Sequence, residues 1–217
     1  MRKTWAGFVL AALALAGCRA DSRFVVMTSD ILAVAAGAAA APVSALYRVE
    51  ISSLSDCEDQ KAAIMAVIGR YLEVSSAPLC DGADEESWLE FSAGTALVAL
   101  GAPIPGTAPI GLAAAQAGAA VELHLLFDAG RFALLDRDVA KLELGASVEL
   151  GGLSVELIHD GAAPLALAAP AAFVNDVATV APALTLVPGD AATLRVSDVA
   201  TAAMQASGTA LALTLTP

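Results

Sequence analysis

Residues 43–72, VSALYRVEISSLSDCEDQKAAIMAVIGRYL, contain a strand pattern followed directly by a helix pattern. Over residues 43–51 an apolar side chain occupies every second position, the period of a strand with one buried face. Ser55 stands three residues before Glu58, the spacing of a capping box, and predicts a helix over 56–72. The apolar positions of that helix recur every three or four residues: Ile64, Val67, Ile68 and Tyr71. The stretch therefore predicts a helix packed on a sheet, in an α+β fold.

Strand patterns dominate the second half of the chain. Alternating apolar residues at 153–159 lead into Asp160-Gly161, a dipeptide typical of a two-residue hairpin turn. We expect residues 143–217 to form a mostly antiparallel, β-sandwich-like region with a short inserted helix. Residues 18–142 would then form the α+β region that contains the capped helix and the sheet on which it packs.

Two more helices are predicted from their capping residues. Asp128 precedes an amphipathic run that extends to Leu142, and its carboxylate can accept the first free N–H groups of a helix. Ser197 precedes a shorter run, DVATAAMQASG, that ends at Gly208. Glycine at that position is typical of a helix C-terminus because it adopts the left-handed conformation freely.

The stretch between Glu90 and Glu122 carries no charged residue and is the candidate for a second membrane span. Its centre is GAPIPGTAPIG, residues 101–111. Prolines and glycines there break a helix in a medium that cannot satisfy the freed backbone groups. The stretch therefore predicts a strand, a loop and a second strand.

The charge balance excludes one class of partner. The formal net charge is -12, and removing Arg2 and Lys3 with the first 17 residues gives -12 - 2 = -14. Nucleic-acid binding needs a basic surface that neutralises phosphates, so we expect no nucleic-acid partner. The same balance disfavours docking onto anionic lipid by charge alone.

The N-terminus has the layout of a secretory signal. Arg2 and Lys3 are followed by an apolar run from Trp5 to Gly17, which is too short to span a bilayer. The tetrad Leu15-Ala16-Gly17-Cys18 resembles the lipobox of bacterial lipoproteins.

That resemblance implies a lipid anchor at Cys18. Its sulfur would carry a diacylglyceryl group, residues 1–17 would be removed as a signal peptide, and the mature chain would begin at Cys18. Two acyl chains hold a protein on a membrane firmly, whereas one does so marginally. In enteric-type bacteria, aspartate at the position directly after the acylated cysteine favours retention in the inner membrane. Here that position is occupied by Arg19. The resemblance thus implies a cell-envelope location, in the outer membrane and facing the periplasm.

Cys57 and Cys80 are the remaining cysteines. A helix from Glu58 to Leu72 would be about 22 Å long, and eight extended residues from Leu72 to Cys80 reach about 26 Å. Cys80 can therefore return beside Cys57, and a disulfide between them suits an oxidising envelope. Two unpaired thiols are the alternative. A redox pair is disfavoured because no C-x-x-C motif occurs.

Catalytic and metal-binding motifs are sparse. The chain has no G-x-S-x-G elbow, no G-x-G-x-x-G and no G-x-x-x-x-G-K. A zinc site built from His124 and His159 would need their strands to be neighbours, and Glu90 and Glu122 could pair only if the fold brought them together. The acidic loop 81–86 lacks EF-hand spacing and is typical of a solvated surface. We expect no catalytic residue, bound metal or cofactor.

The chain as a whole is loosely similar to small lipoproteins of unassigned function in proteobacterial genomes and their prophages. The similarity rests on the lipobox, on the capped helix with Cys57 and Cys80, and on the ending FVNDV...LVPGDAATLRVSDVA. It implies a lipid-anchored envelope lipoprotein with a non-enzymatic binding or structural role, and an envelope protein as one conceivable partner. Two alternatives are a phage-encoded lipoprotein that blocks an outer-membrane receptor and a metal-binding or hydrolytic envelope enzyme.

Overall fold

A computed structural model describes residues 18–83, 86–142, 147–170, 172–175, 177–179 and 183–217. The predicted signal peptide, residues 1–17, lies outside the described residues. The described helices are α1 Thr28–Ala35, α2 Leu54–Ile68, α3 Ala129–Val139 and α4 Asp198–Ser207. The described strands are β1 Cys18–Met27, β2 Ala41–Ile51, β3 Glu73–Val74, β4 Leu79–Ala83, β5 Glu86–Ala99, β6 Ile110–Ala117, β7 Ala120–Phe127, β8 Val148–Ile158, β9 Leu165–Ala168, β10 Ala172–Val174, β11 Val177–Thr179, β12 Ala183–Leu186, β13 Ala191–Val196 and β14 Thr209–Thr216.

Within the described chain these strands form one sheet in the order β11-β10-β13-β8-β1-β2-β5-β6-β7-β14-β9-β12. Strand β5 is long enough for β2 to pair along one edge while β3, β4 and β6 share the other edge. The pairs β1–β8 and β5–β6 are parallel, and the other pairs are antiparallel. The predicted α+β class and the mostly antiparallel pairing are confirmed.

Strand pairing joins the two regions expected from the sequence. Strand β8 lies beside β1, and strand β14 lies beside β7, so both ends of the first region continue into strands of the second. Val155 of β8, Leu194 of β13 and Leu211 of β14 line one small cavity. Because β8 and β14 are far apart in the strand order, this shared cavity shows that the sheet curls. The strand ladder is therefore continuous across the boundary expected at residues 142 and 143.

The helix α2 begins earlier than the sequence predicted. Its N-cap is Ser53, whose side chain accepts a hydrogen bond from the Asp56 N–H, and it ends at Ile68. The prediction of a Ser55 cap with Glu58 was wrong because the same spacing occurs two residues earlier, at Ser53 and Asp56. Ser52 and Ser53 also donate hydrogen bonds to the Asp56 carboxylate, which fixes that side chain in the first turn.

The other two predicted caps are confirmed. The Asp128 carboxylate accepts a hydrogen bond from the Arg131 N–H at the start of α3. The Ser197 hydroxyl accepts one from the Ala200 N–H at the start of α4, and Gly208 ends that helix in the left-handed region at φ 83°. Strands β5 and β6 flank a loop, as expected, and the loop contains all of GAPIPGTAPIG except its last two residues, which begin β6.

The hairpin predicted at Asp160-Gly161 is wrong. Strands β8 and β9 do not pair with each other, since β8 lies between β1 and β13 and β9 lies between β14 and β12. Asp160 instead accepts hydrogen bonds from the backbone N–H and the hydroxyl of Ser29 and from the Thr28 hydroxyl. The local turn signal is thus overridden by a distant contact that holds the loop against the start of α1.

A large apolar core fills the inner face of the curled sheet, and a smaller cluster of Val67, Leu135 and Val139 lies between α2 and α3. The large core includes fully buried side chains from both halves, such as Phe24, Leu89, Leu123, Leu157 and Leu213. Helix α2 packs on β4 and β5 and contacts α3, while α4 packs on β14 and β7.

Candidate functional site

Cys57 and Cys80, the pair predicted to form a disulfide, are at bonding distance. Cys57 is fully buried in the first turn of α2, and Cys80 lies on β4. Their Cα atoms are 5.9 Å apart, within the range that a disulfide spans. The bond fastens the start of α2 to the sheet, which is a structural role.

Cys18, the predicted acylation site, is the first described residue and the first residue of β1. Its backbone pairs in parallel with Val148 of β8. The Cys18 side chain and the rest of the tetrad, Leu15 to Gly17, lie outside what the structure describes, so acylation stays a prediction. No helix within the described part of the chain is long and apolar enough to cross a bilayer.

The two histidines do not come together. His124 lies on β7 and His159 directly follows β8, and four strands separate β7 from β8 in the sheet. The condition for a zinc site built from both is therefore not met. His124 Nε2 donates to the Glu122 carboxylate, 3.0 Å away. His159 is buried, its Nε2 donates to the Ala163 carbonyl and its Nδ1 bonds the Thr28 hydroxyl, so both ring nitrogens are occupied.

Glu90 and Glu122 are also separated. Glu122 of β7 pairs with Ala115 of β6, which lies one residue beyond the Ala99–Ala114 pair of β5 and β6. Glu90 lies nine residues before Ala99 on β5, so the two glutamates are offset by about ten residues along the sheet. At about 3.3 Å per residue this is about 30 Å along the sheet. The carboxylate pair needed for glycoside cleavage is not formed.

The acidic loop 81–86 is described in part. Asp81 is exposed to solvent, whereas Asp84, Glu85 and the side chain of Glu86 lie outside the described residues. In the described part of the chain, no three His, Cys, Asp or Glu side chains are grouped so that they could hold a metal ion.

The most distinctive polar feature is a pocket on the outer face of the sheet, which we call the arginine pocket. It lies across β1, β2, β8 and β13 and has a volume of about 380 Å³, within the size range of small-molecule sites. Four arginines line it: Arg19, Arg23, Arg48 and Arg195. They alternate along their strands with residues that face the core, so the pleat of the sheet places them on one side.

The charge of the arginine pocket is opposite to that of the chain. Four of the chain's eleven basic residues line it, and Asp21 is its only lining acid among the described residues, which gives 4 - 1 = +3. Glu90 and Glu156 pair with lining arginines from outside the pocket, and counting them leaves 4 - 3 = +1. The chain as a whole carries -12. Positive charge is thus concentrated in one concave place on an acidic molecule.

Neighbouring groups hold the guanidinium groups of Arg19 and Arg48 in place. Arg19 Nε lies 2.9 Å from Asp21 Oδ1, and this hydrogen bond raises the pKa of Arg19. Arg48 Nε lies 2.6 Å from Glu90 Oε1 and forms an ion pair with it, but the N–H does not point at this oxygen and makes no hydrogen bond. The Arg48 guanidinium also lies over the Trp88 ring. A guanidinium has five N–H donors, so each keeps donors for a ligand.

Arg195 and Arg23 are the least neutralised members of the pocket. The Arg195 guanidinium carbon stacks 3.9 Å from the centre of the Phe173 ring, and no carboxylate among the described residues lies within ion-pair distance of it. Arg23 has a long ion pair, 3.9 Å from Glu156, and is half-exposed. The positive charges of these two side chains are therefore the least neutralised and the most available to an incoming anion.

A β-bulge shapes the floor of the arginine pocket. The register of β1 with β8 shifts between Ala20 and Ser22, and Asp21 there accepts a hydrogen bond from the Gly152 N–H. A Cβ atom at Gly151 would collide with the Asp21 carboxylate and with the Arg19 side chain. Bulges often occur beside functional sites because they redirect side chains, and this one sets the Arg19–Asp21 pair.

Sequence reasoning missed this pocket. The only local signal is the spacing Arg19, Asp21, Arg23, which places all three side chains on one face of a strand. Arg48 and Arg195 come from strands that are distant in sequence, so their convergence depends on the strand order.

A family model described as "Domain of unknown function (DUF7424)" matches residues 23–216. No curated protein matches the chain. Among solved structures, the chain is similar to the yeast delta-COP-I mu-homology domain complexed with Dsl1 WxWxV peptide, at 11% identity, covering 83% of this chain and 74% of that chain. The TM-score is 0.21, so this likeness supports no argument about fold or function.

Proposed function

The chain belongs to this family of unknown function, and we propose that it is a lipid-anchored envelope lipoprotein that binds a phosphate-bearing ligand in the arginine pocket. The observation that carries the proposal is the convergence of four arginines in one pocket of an acidic chain. Two of them, Arg19 and Arg23, lie on β1, the strand that begins with the predicted acylation site. The role is binding rather than catalysis.

Phosphate is the ligand chemistry that fits the lining best. Guanidinium groups bind phosphate and carboxylate oxygens through parallel N–H donors, and several forks around one pocket favour an anion with more than two oxygens. Hydroxyl and amide side chains from Ser154, Asn175 and Thr193 add uncharged hydrogen-bonding groups to the lining. Asp21, Glu90 and Glu156 are paired with arginines, so their negative charges would repel the ligand less.

The position of the pocket suits a ligand near the membrane surface. Arg23 is the fifth residue after Cys18 along β1, about 17 Å away at 3.3 Å per residue. An acylated Cys18 would therefore hold the pocket close to the lipid headgroups, with no linker between the lipid and the folded strand. Arg19, which also lines the pocket, directly follows Cys18 and so lies within the range of about 8 Å over which electrostatic attraction acts at physiological ionic strength.

The test is a calorimetric titration of the purified protein with inorganic pyrophosphate. We expect saturable binding that weakens as salt is added, and a roughly tenfold loss of affinity for Arg195→Gln and for Arg23→Gln, since a hydrogen bond to a charged group contributes about 1.5–3 kcal/mol. Arg137→Gln is the matched control, because Arg137 is also an exposed arginine but lies on α3 and does not line the pocket. Equal affinities for the wild type and both pocket variants would refute the proposal.

A further inference from the structure

A second polar pocket adjoins the arginine pocket, between helix α4, the start of β8 and the end of β13. It has a volume of about 420 Å³, within the size range of small-molecule sites. It shares Arg19, Gly152 and Arg195 with the arginine pocket, so the two pockets meet at these residues. We call it the α4 cleft, and its other lining residues are Glu149, Leu150, Gly151, Val196, Asp198, Thr201, Ala202 and Gln205. A ligand bound by the two shared arginines could therefore extend into the cleft.

Helix α4 presents a polar face to the cleft. Its lining members follow the spacing i, i+3, i+4 and i+7, which places them on one side of a helix: Asp198, Thr201, Ala202 and Gln205. At this spacing a helix that packs on a sheet carries apolar side chains, whereas here three of the four are polar. Met204, which lies outside this set, is the fully buried apolar residue of α4. The face that lines the cleft is therefore suited to polar contacts rather than to the core.

The Thr201 hydroxyl lacks a hydrogen-bond partner within the described chain. Thr201 is only 7% exposed and lines the cleft. Its backbone N–H donates to the Ser197 carbonyl, but its hydroxyl makes no hydrogen bond to a described residue. Polar groups in largely buried side chains are normally hydrogen-bonded, and leaving one unsatisfied costs free energy. A ligand donor in the cleft would supply the missing partner.

Two carboxylates give the cleft a charge opposite to that of the arginine pocket. Glu149 and Asp198 are exposed, and no basic side chain of the described chain lies within ion-pair distance of either. Glu149 pairs in register with Arg19, so the acid and a shared arginine lie on neighbouring strands about 4.8 Å apart. Apart from Arg19 and Arg195, no basic residue of the described chain lines the cleft. The charge therefore changes sign over a short distance from one pocket to the other.

We infer that the ligand is a phosphate ester that carries a primary ammonium group on a short alkyl link, the chemistry of phosphoethanolamine. Arg19 and Arg195 bind the phosphate where the two pockets meet. The ammonium lies in the α4 cleft and donates to Glu149, Asp198 and the Thr201 hydroxyl. A primary ammonium has three N–H donors, and these three groups can accept them. The inference rests on the proposed function, because it takes the phosphate site as given.

The lining of the cleft distinguishes a primary ammonium from two other cations. A quaternary ammonium is recognised by aromatic rings, and no aromatic residue of the described chain lines the cleft. A metal ion is disfavoured because the described residues contain no group of three His, Cys, Asp or Glu side chains that could hold one. Two carboxylates with a hydroxyl and the Gln205 amide instead match a cation that is bound through N–H donors.

The experiment is a calorimetric titration of the purified protein with O-phosphoethanolamine and with propyl phosphate, in which a methyl group replaces the ammonium. We expect O-phosphoethanolamine to bind about tenfold more tightly than propyl phosphate, the effect of charge-assisted hydrogen bonds to the ammonium. Phosphocholine should bind no more tightly than propyl phosphate. A phosphocholine affinity equal to that of O-phosphoethanolamine would overturn the assignment of a primary ammonium.

Three variants test the groups that receive the ammonium. Glu149→Gln, Asp198→Asn and Thr201→Val should each reduce the preference for O-phosphoethanolamine over propyl phosphate by at least about threefold. Their affinity for pyrophosphate should not fall, because the arginines are unchanged, and retained pyrophosphate binding shows that a variant is folded. Asp59→Asn is the matched control, because Asp59 is also an exposed acid on a helix but lines neither pocket.

Two sources carry this chemistry, a phosphatidylethanolamine headgroup and a free aminoalkyl phosphate. Vesicles of phosphatidylethanolamine and phosphatidylcholine in equal parts distinguish them, with pure phosphatidylcholine vesicles as the blank. Because β1 begins at the predicted acylation site, we expect the mixed vesicles to displace bound O-phosphoethanolamine. If it stays bound, the ligand is the free compound, and the assignment of the ammonium to the cleft is upheld.

Failure of the inference is distinguishable from failure of the proposed function. If pyrophosphate binds but O-phosphoethanolamine binds no more tightly than propyl phosphate, the inference alone is overturned. The same follows if the wild type and all three variants show an equal preference, since the ammonium would then lie elsewhere. Absence of pyrophosphate binding would refute the proposed function and the inference with it.

Discussion

Asp138 is a carboxylate held in a nearly complete cage of donors at the end of α3. Its oxygens accept hydrogen bonds from the Tyr71 hydroxyl, 2.8 Å away, and from Lys141 Nζ, 2.7 Å away, and Arg70 lies at 3.1 Å. The side chain is only 8% exposed. The hydrogen bonds from Lys141 and then Tyr71 lower the pKa of Asp138 to about 2. This residue links α3 to the segment that follows α2.

The first prediction concerns the acid stability that Asp138 provides. Because its pKa is lower in the folded state than the ordinary value of 3.8, the carboxylate stabilises the fold above about pH 4 and loses that effect as the pH falls towards 2. Asp138→Asn should therefore lower the free energy of unfolding at pH 7, and the deficit relative to wild type should shrink between pH 4 and pH 2. Urea unfolding at several pH values measures this.

A substitution on α2 serves as the comparison for Asp138. Asp59 is exposed there, and Asp59→Asn should change the free energy of unfolding by less than about 0.5 kcal/mol at neutral pH. A deficit for Asp138→Asn that stays constant from pH 7 to pH 2 would contradict the assignment of the stabilisation to the ionised carboxylate.

At the scale of the element, the start of α2 distinguishes two serines that the sequence makes equivalent. Ser53 caps the helix, whereas Ser55 lies exposed within its first turn. We predict that Ser53→Ala costs about 1 kcal/mol of unfolding free energy through the loss of the cap, and that Ser55→Ala costs less than about 0.5 kcal/mol. Chemical denaturation of both variants measures the difference. A larger loss for Ser55→Ala than for Ser53→Ala would contradict the cap at Ser53 and favour a cap at Ser55.

Local signals predicted most elements because their causes are local. Asp128, Ser197 and Gly208 act on N–H groups or backbone angles within a few residues of themselves. Asp160 failed as a turn signal because its partners, Thr28 and Ser29, lie 132 and 131 residues away. The cap of α2 was misplaced because two serine-to-acid spacings overlap, and only packing of the helix on the sheet selects one of them.

At the scale of the molecule, the sheet is built from long-range pairs that no local pattern specifies. Strand β1 pairs with β8, and β7 pairs with β14, so the order of strands differs from their order in the chain. The arginine pocket follows from this order, since its lining comes from strands in both halves. The sequence predicted the fold class and the disulfide, whereas the pocket could be seen only after the strands were placed.

Removal of the second half should therefore unfold the first. A fragment of residues 18–142 would lack β8 beside β1 and β14 beside β7, and it would lose buried core residues such as Leu153, Val155 and Leu157. We predict that this fragment shows poor amide dispersion by NMR and no cooperative unfolding transition. A dispersed spectrum with a cooperative transition would mean that residues 18–142 form a domain of their own.

The proposed lipid anchor is the part of the account on which the proposed cellular role depends. The most direct test is mass spectrometry of the N-terminal peptide of the protein isolated from membranes of a Gram-negative bacterium that expresses the full chain. We predict a peptide that begins at Cys18 and carries a diacylglyceryl group, and an uncleaved chain for Cys18→Ala. An unmodified Cys18, or a wild-type chain that still contains residues 1–17, would contradict the proposal that this protein is an envelope lipoprotein.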